Sequence, residues 1–196
     1  MSDKKEKYMR IITGTARGIR LSTPEGEEIT RPTTEKVKEA VFSSIQFDIE
    51  GREVLDLFAG SGQMGLEALS RGAEKCTFVD SSRDAIKFVT ENAQKTKLYK
   101  KSNVLCMDYE KYAVSASGKS RFDIVFIDPP YAERLLPSAL KALFDNGLLK
   151  DTSIIICEDE RDGLMENTDI SSRYSLSKQA RYGRVFIYYL SPKAAK

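Results

Sequence analysis

The most constraining feature of this sequence is an alternation of apolar strands and amphipathic helices that begins at residue 53. The pattern predicts strands at residues 54–58, 76–80, 104–107, 122–127 and 154–157. It predicts helices at residues 64–71, 85–95 and 136–144. Strands that alternate with helices at this spacing form a parallel sheet with helices on both faces.

The C-terminal part of the chain departs from this alternation. Residues 174–180 and 184–190 read as two strands joined by a short connection at Arg181-Tyr182-Gly183. A connection this tight joins antiparallel strands. We therefore expect one α/β domain over residues 1–196, with its core at residues 51–190.

The N-terminal segment precedes the alternating region. Residues 1–8 are charged and without periodicity, so we expect them to be disordered. Residues 9–23 predict a small β-hairpin, with strands at 9–13 and 19–23. Thr33 or Thr34 is expected to cap a following helix. A polar loop is expected at residues 115–120.

Composition excludes several chemistries. The chain has no histidine, which excludes serine–histidine triads and most zinc sites. Its three cysteines are far apart and predict neither a disulfide framework nor a metal site. No apolar run approaches the ~18 residues of a membrane span, and the first residues lack a signal-peptide core. We therefore expect a cytoplasmic protein that uses carboxylates, backbone groups and aromatic rings.

The net charge of +2 conceals two basic ends. Residues 1–22 carry six basic and two acidic side chains, a net +4, and residues 171–196 carry six basic and no acidic ones, a net +6. The remaining residues must then hold a net −8. This distribution indicates a polyanionic partner bound at the periphery. The alternative is that the basic ends only increase solubility.

A glycine-rich loop follows the first predicted strand. Gly60, Gly62 and Gly65 form a G-x-G-x-x-G pattern between that strand and a helix. Glycines at these positions let the backbone approach a ligand, and the helix N-terminus offers free N–H groups. By itself this pattern also fits a dinucleotide site or a turn that serves packing alone.

Three aspartates come at the ends of three successive strands. Asp56 lies four residues before Gly60, where it would repel a pyrophosphate and attract an ammonium group. Asp80 lies twenty residues after Gly60, the place of a carboxylate that accepts both hydroxyls of a ribose. Asp108 follows the third strand and could accept a hydrogen bond from an adenine amino group. Each alone is compatible with a turn, but together they predict a pocket for a nucleoside that is cationic overall.

The fourth predicted strand continues into Asp128-Pro129-Pro130-Tyr131. Proline disfavours helical backbone at the residue before it, so Asp128 is expected to be extended. The two prolines keep carbonyl oxygens but have no N–H, so the turn offers acceptors without donors. The Asp128 carboxylate and the Tyr131 ring complete a site suited to a planar base with an exocyclic amino group. The alternative is a plain strand-to-loop turn.

These motifs resemble those of class I S-adenosylmethionine-dependent amino methyltransferases, which have a Rossmann-like fold. The resemblance rests on residues 56–62, on Asp80 and Asp108, and on residues 128–131. Residues 10–18, 31–34 and 65–73 extend it over nearly the whole chain to the RsmD-type 16S ribosomal RNA guanine-N2 methyltransferases. The chain departs from the family pattern at Gln63-Met64 and at Asp80, where a glutamate is common.

The resemblance implies a seven-stranded, mostly parallel sheet with an antiparallel last strand. It implies methyl transfer from S-adenosylmethionine to N2 of a guanine in 16S rRNA, on naked RNA or on the small ribosomal subunit. The catalytic residues would be Asp128, Pro129 and Tyr131. The cofactor residues would be Asp56, Phe58, Gly60, Gly62, Asp80, Asp108, Arg31 and Thr33, the last two near the methionine end. The basic residues expected to bind RNA are Arg10, Arg17, Arg20, Lys178, Arg181 and Arg184.

Other functions stay open on the residues alone. Adenine N6, in RNA or in DNA, presents an amino group to the same acceptors as guanine N2, so only the resemblance favours guanine. A nicotinamide-dependent oxidoreductase would use the glycine loop but leaves Asp56 and the Asp-Pro-Pro-Tyr turn without a role. A non-catalytic RNA-binding protein on the same fold is the third alternative. We expect a monomer without a metal ion.

Overall fold

The computed structural model describes residues 9–23 and 32–194, without the side chains of residues 32–34 and 131. The disorder expected at residues 1–8 and the contact expected for Arg31 fall outside these residues. The side-chain roles expected for Thr33 and Tyr131 fall outside them as well. In the described part of the chain, no helix is long and apolar enough to cross a membrane.

In the described residues, seven strands form one sheet with the order β3-β2-β1-β4-β5-β7-β6. Strands β1 to β5 are parallel, and β7 runs antiparallel to both of its neighbours. This arrangement confirms the predicted sheet and its antiparallel last strand. The strands are β1 (Glu53–Leu57), β2 (Lys75–Asp80), β3 (Ser102–Cys106), β4 (Phe122–Ile127), β5 (Leu149–Asp159), β6 (Tyr174–Tyr182) and β7 (Val185–Pro192).

Helices cover both faces of the sheet and create two cores. Side chains alternate across a strand, so in β4 Phe126 packs into one core while Val125 and Ile127 pack into the other. The first core lies under α1 (Pro32–Ser44), α2 (Gln63–Ser70) and α3 (Arg83–Lys95). The second lies under α4 (Tyr109–Ala116), α5 (Leu136–Asp145) and α6 (Thr168–Arg173).

Residues 9–23 form an antiparallel arm along α2, paired less regularly than the predicted hairpin. One β-bridge joins Arg10 to Arg20. The backbone N–H groups of Ile12 and Thr13 donate instead to the Glu67 carboxylate of α2, at 2.7 and 3.0 Å. Backbone hydrogen bonds from Ile11 N to Ile19 O and from Leu21 N to Met9 O, at 3.0 and 2.8 Å, keep the two halves of the arm paired as in the predicted hairpin. The paired part is shorter than the strands predicted at 9–13 and 19–23.

The arm is also attached to α3 through one buried amide side chain. Asn92 accepts a hydrogen bond from Ser22 N at 2.7 Å. Its Nδ2 donates to the carbonyl oxygens of Ser22 and Ser61, at 2.8 and 3.0 Å. Ser61 belongs to the glycine loop, so the arm and that loop share Asn92.

Some predicted boundaries differ from the structure. Helix α1 begins at Pro32, so Thr33 and Thr34 lie in its first turn and do not cap it. Proline suits the first position of a helix because an N–H group there would have no partner within the helix. Helix α4 extends to Ala116 into the expected loop at 115–120. Strand β5 has 11 residues and begins at Leu149, five residues before the predicted strand at 154–157. Its first part also pairs with β4, through Leu149 and Phe122, before the pairing register shifts.

Candidate active site

Parallel strands bring four of the predicted aspartates to one edge of the sheet, here called the carboxyl edge, where β1 to β5 end. Strand β1, which contains Asp56, lies between β2 and β4. Asp80 is the last residue of β2, and Asp128 directly follows β4. Asp108 follows β3 by two residues and precedes α4. Ligands of open α/β sheets bind at this edge.

The glycine loop between β1 and α2 has an unusual backbone. Phe58 has a positive φ of 67°, which is uncommon for a residue with a side chain, and Gly60 and Gly62 have φ of 53° and 77°. A Cβ on Gly60 would meet nothing within 4 Å, so the backbone there faces open space. A Cβ on Gly65 would lie 2.3 Å from the Phe78 ring. Gly60 therefore leaves open space beside the loop, whereas Gly65 lets α2 pack against β2.

Asp56 lies behind the loop and is 4% exposed. Its Oδ2 accepts a hydrogen bond from Gly65 N at 2.8 Å, at the N-terminus of α2. Burial raises the pKa of Asp56 to about 7, and the Gly65 bond opposes that rise. A carboxyl group occupies the helix N-terminus, where a dinucleotide site would bind its pyrophosphate. The loop is therefore unsuited to a nicotinamide dinucleotide.

Asp80 and Asp108 are both held by backbone N–H groups. Asp80 accepts from Gly60 N at 2.9 Å through Oδ2 and from Ser82 N at 2.8 Å through Oδ1. Asp108 is the N-cap of α4 and accepts from the N–H groups of Glu110 and Lys111 through Oδ1. Both carboxylates are thus fixed in orientation at the carboxyl edge, beside the loop.

The Asp-Pro-Pro-Tyr turn lies at the carboxyl end of β4. Asp128 is exposed, Pro129 is buried and Pro130 is exposed. The turn continues into a short 3₁₀ helix at Tyr131–Glu133 and then Arg134, which has a positive φ of 54°. A cavity of about 210 Å³ lies against Pro129 and Pro130, between the start of α5 and the end of β5.

The cavity wall includes three acidic residues that were not among the predicted site residues, Glu158, Asp159 and Asp162. Glu158 and Asp159 end β5 and line the cavity together with Pro129. The signal for them is the one that identified the other aspartates, since they too are acidic residues at the end of a strand. The sequence analysis assigned no role to the end of the fifth strand.

The basic residues expected to bind RNA do not lie on one surface. Arg17 is in the turn of the arm, beside Ser70 at the end of α2, and therefore at the edge opposite the site. Arg181 and Arg184 flank the β6–β7 turn, which lies at the carboxyl edge because Phe186 pairs with Asp159. Of the other three, Arg10 forms an ion pair with Glu35 at 2.7 Å, and Arg20 lies opposite Arg10 in the arm. Lys178 donates a hydrogen bond to Ser44 Oγ at 2.8 Å.

Comparisons with known proteins give the chain a family. The family model described as Conserved hypothetical protein 95 matches residues 9–191. "Putative rRNA methyltransferase YlbH" of Bacillus subtilis is 41% identical over 156 residues, 79% of this chain and 84% of that protein. Ribosomal RNA small subunit methyltransferase D of Escherichia coli K12 is 33% identical over 177 residues, 90% and 86% of the two chains. The solved structure "Putative methyltransferase yhhF" from Escherichia coli superposes with a TM-score of 0.83 at 31% identity, covering 96% of this chain and 99% of that one.

The sheet order, the site and these relatives define a class I S-adenosylmethionine-dependent methyltransferase. The chain belongs to the Conserved hypothetical protein 95 family, which confirms its resemblance to the RsmD-type enzymes.

The residues of the site fit S-adenosylmethionine. The open backbone at Gly60 gives room for a ligand beside two oriented carboxylates, and no phosphate has to be accommodated at the start of α2. Asp80 would hold the ribose hydroxyls and Asp108 the adenine amino group, whereas Asp56, expected to attract the methionine ammonium, is buried behind the loop and bonded to Gly65 N. These individual contacts are predictions.

Proposed function

We propose that the protein transfers a methyl group from S-adenosylmethionine to the exocyclic N2 of a guanine in small-subunit (16S) ribosomal RNA. The observation that carries the proposal is the Asp-Pro-Pro-Tyr turn at the end of β4, the strand paired directly with β1 and its glycine loop. The substrate class is supported by relatives named as ribosomal RNA methyltransferases. Such a substrate would place the enzyme in the cytoplasm.

The chemical problem is the weak nucleophilicity of an amino group attached to a base. Its lone pair is delocalised into the ring, and it becomes available when the nitrogen is more nearly tetrahedral. Two acceptors that hold both hydrogens favour that geometry. We assign these acceptors to the Asp128 carboxylate and the Pro129 carbonyl oxygen. Pro130 has no N–H to compete for them.

Positioning is the second contribution of this site. Bound S-adenosylmethionine supplies a methyl group on a positively charged sulfur. Arg31 and Thr33 are assigned to its methionine end. Fixing a nucleophile in line with the reacting group provides up to ~7–11 kcal/mol of the barrier reduction. A proton leaves the nitrogen, either to the Asp128 carboxylate, which is exposed at the carboxyl edge, or to water.

The target base must be unpaired or turned out of an RNA helix, which costs a few kcal/mol. This cost is smallest for a base in a loop. Stacking on Tyr131 would offset roughly 1–3 kcal/mol of that cost. We assign Arg181 and Arg184, which flank the β6–β7 turn at the carboxyl edge, to the flanking phosphates.

The test is transfer of labelled methyl from S-adenosylmethionine to small ribosomal subunits that lack the modification, followed by nucleoside analysis. We expect N2-methylguanosine, and Asp128→Ala should abolish transfer while S-adenosylhomocysteine still raises the melting temperature. Methylated adenosine would contradict the proposal, as would transfer to DNA but not to RNA. Loss of cofactor binding in Asp128→Ala would reassign Asp128 to the scaffold.

A further inference from the structure

The ends of β4 and β5 bring a second carboxylate level with Asp128. The two strands are parallel and Ile127 pairs with Cys157, so the next residues along, Asp128 and Glu158, are level at the carboxyl edge. Neighbouring strands are about 4.8 Å apart. Glu158 also lines the cavity formed against Pro129 and Pro130.

Strand pairing indicates the face on which each acid lies. Glu158 pairs with Ile187, whose side chain packs into the core under α1 to α3. Asp159 pairs with Phe186, which packs into the opposite core. Ile127 also packs into that opposite core. Side chains alternate along a strand, so the next residue, Asp128, falls on the same face of the sheet as Glu158.

Two acceptors for an amino group do not distinguish the two purines that present one. In guanine, the amino-bearing carbon lies between two ring nitrogens, N1, which carries a hydrogen, and N3, which carries a lone pair. In adenine, the corresponding N1 carries a lone pair. A carboxylate beside the amino site would accept from guanine N1–H and repel adenine N1.

We propose that Glu158 is the residue that selects guanine over adenine, by accepting a hydrogen bond from guanine N1–H while Asp128 and Pro129 hold the N2 amino group. This inference rests on the proposed function and assigns the choice of base to one side chain. Glu158 is half-buried at the end of β5, so part of its side chain stays accessible to an entering base on the face that it shares with Asp128.

The experiment compares RNA substrates that carry guanine or 2-aminopurine at the methylated position. 2-Aminopurine keeps the amino group, but its N1 has a lone pair in place of the hydrogen. We expect the wild-type enzyme to methylate 2-aminopurine roughly 10- to 100-fold more slowly than guanine, since a hydrogen bond to a charged group is lost. Glu158→Gln should reduce or reverse this ratio, because an amide can donate to N1.

Asp159→Asn is the matched control, since it neutralises the adjacent carboxylate on the other face of the same strand. It should leave the guanine to 2-aminopurine ratio unchanged. Glu158→Ala, a second variant, should lose the discrimination without reversing it. Stabilisation by S-adenosylhomocysteine identifies the variants that are folded.

The outcomes separate this inference from the proposed function. If the wild-type enzyme methylates no guanine, the proposed function fails. If guanine is methylated and both Glu158 variants keep the wild-type ratio, only the role of Glu158 is overturned. A ratio that changes in Asp159→Asn and not in the Glu158 variants also overturns it.

Discussion

Substitution of Glu67 in α2 tests how strongly the N-terminal arm is held against that helix. Its side chain is 0% exposed, and its carboxylate accepts from the backbone N–H groups of Ile12 and Thr13 and from Arg71 Nε, at 2.7, 3.0 and 2.8 Å. The buried Lys38 ammonium lies 3.5 Å from it. Glu67→Ala leaves these donors without their acceptor. Removing one partner of a buried ion pair costs about 3–5 kcal/mol, and we expect the free energy of unfolding to fall by that amount.

Urea unfolding followed by circular dichroism measures this loss. Glu67→Gln keeps one carbonyl oxygen and should lose less, about 1–3 kcal/mol. The control is Glu74→Ala, because Glu74 is exposed and only 3.9 Å from Lys101 Nζ, a pair of about 0–1 kcal/mol. If Glu67→Ala costs no more than Glu74→Ala, the buried carboxylate does not hold the arm and the reasoning is refuted.

Three further predictions concern the site. The pKa of Asp56 is raised to about 7 in the folded protein, so the free energy of unfolding falls as the pH rises from about 4 to about 7. Asp56→Asn should remove roughly 4 kcal/mol of this pH dependence. Equal pH slopes for the variant and the wild type in urea unfolding would contradict this prediction. Tyr131→Ala should lower kcat/KM roughly 10- to 100-fold and Tyr131→Phe little, since stacking needs only the ring; the opposite order would assign the effect to the hydroxyl. Neutralising Arg181 and Arg184 should lower the slope of RNA affinity against salt concentration by the equivalent of about two phosphate contacts, whereas neutralising Arg17 should change that slope little. Equal changes would extend the RNA-binding surface to the opposite edge of the sheet.

The parts of the fold that the sequence predicts are those set by short-range patterns. Strand β4 is apolar apart from Asp123, and both of its predicted ends match the structure. The carboxyl-edge positions of Asp80 and Asp128 follow from strand order alone. Helix α4 was not predicted, although Tyr109, Tyr112, Ala113 and Ala116 are buried at helical spacing; its last two residues fall in the loop expected at 115–120.

The remainder depends on contacts between distant residues. A glutamate within a helix is usually exposed, so nothing marks Glu67 as a buried acceptor except its neighbour Arg71 one turn later. The arm pairs over fewer residues than its strand-favouring sequence predicts, because the N–H groups of Ile12 and Thr13 donate to Glu67 of α2, about 55 residues away in sequence. Burial of Asp56 likewise follows from the packing of α2 against β2.

The shared attachment of Ser22 and Ser61 to Asn92 couples the arm to the pocket. A ligand that restrains the glycine loop also restrains the side chain that bonds Ser22 N. Amide hydrogen exchange at Ser22, outside the pocket, should therefore slow when the cofactor is bound. This single amide can report pocket occupancy without any probe in the pocket.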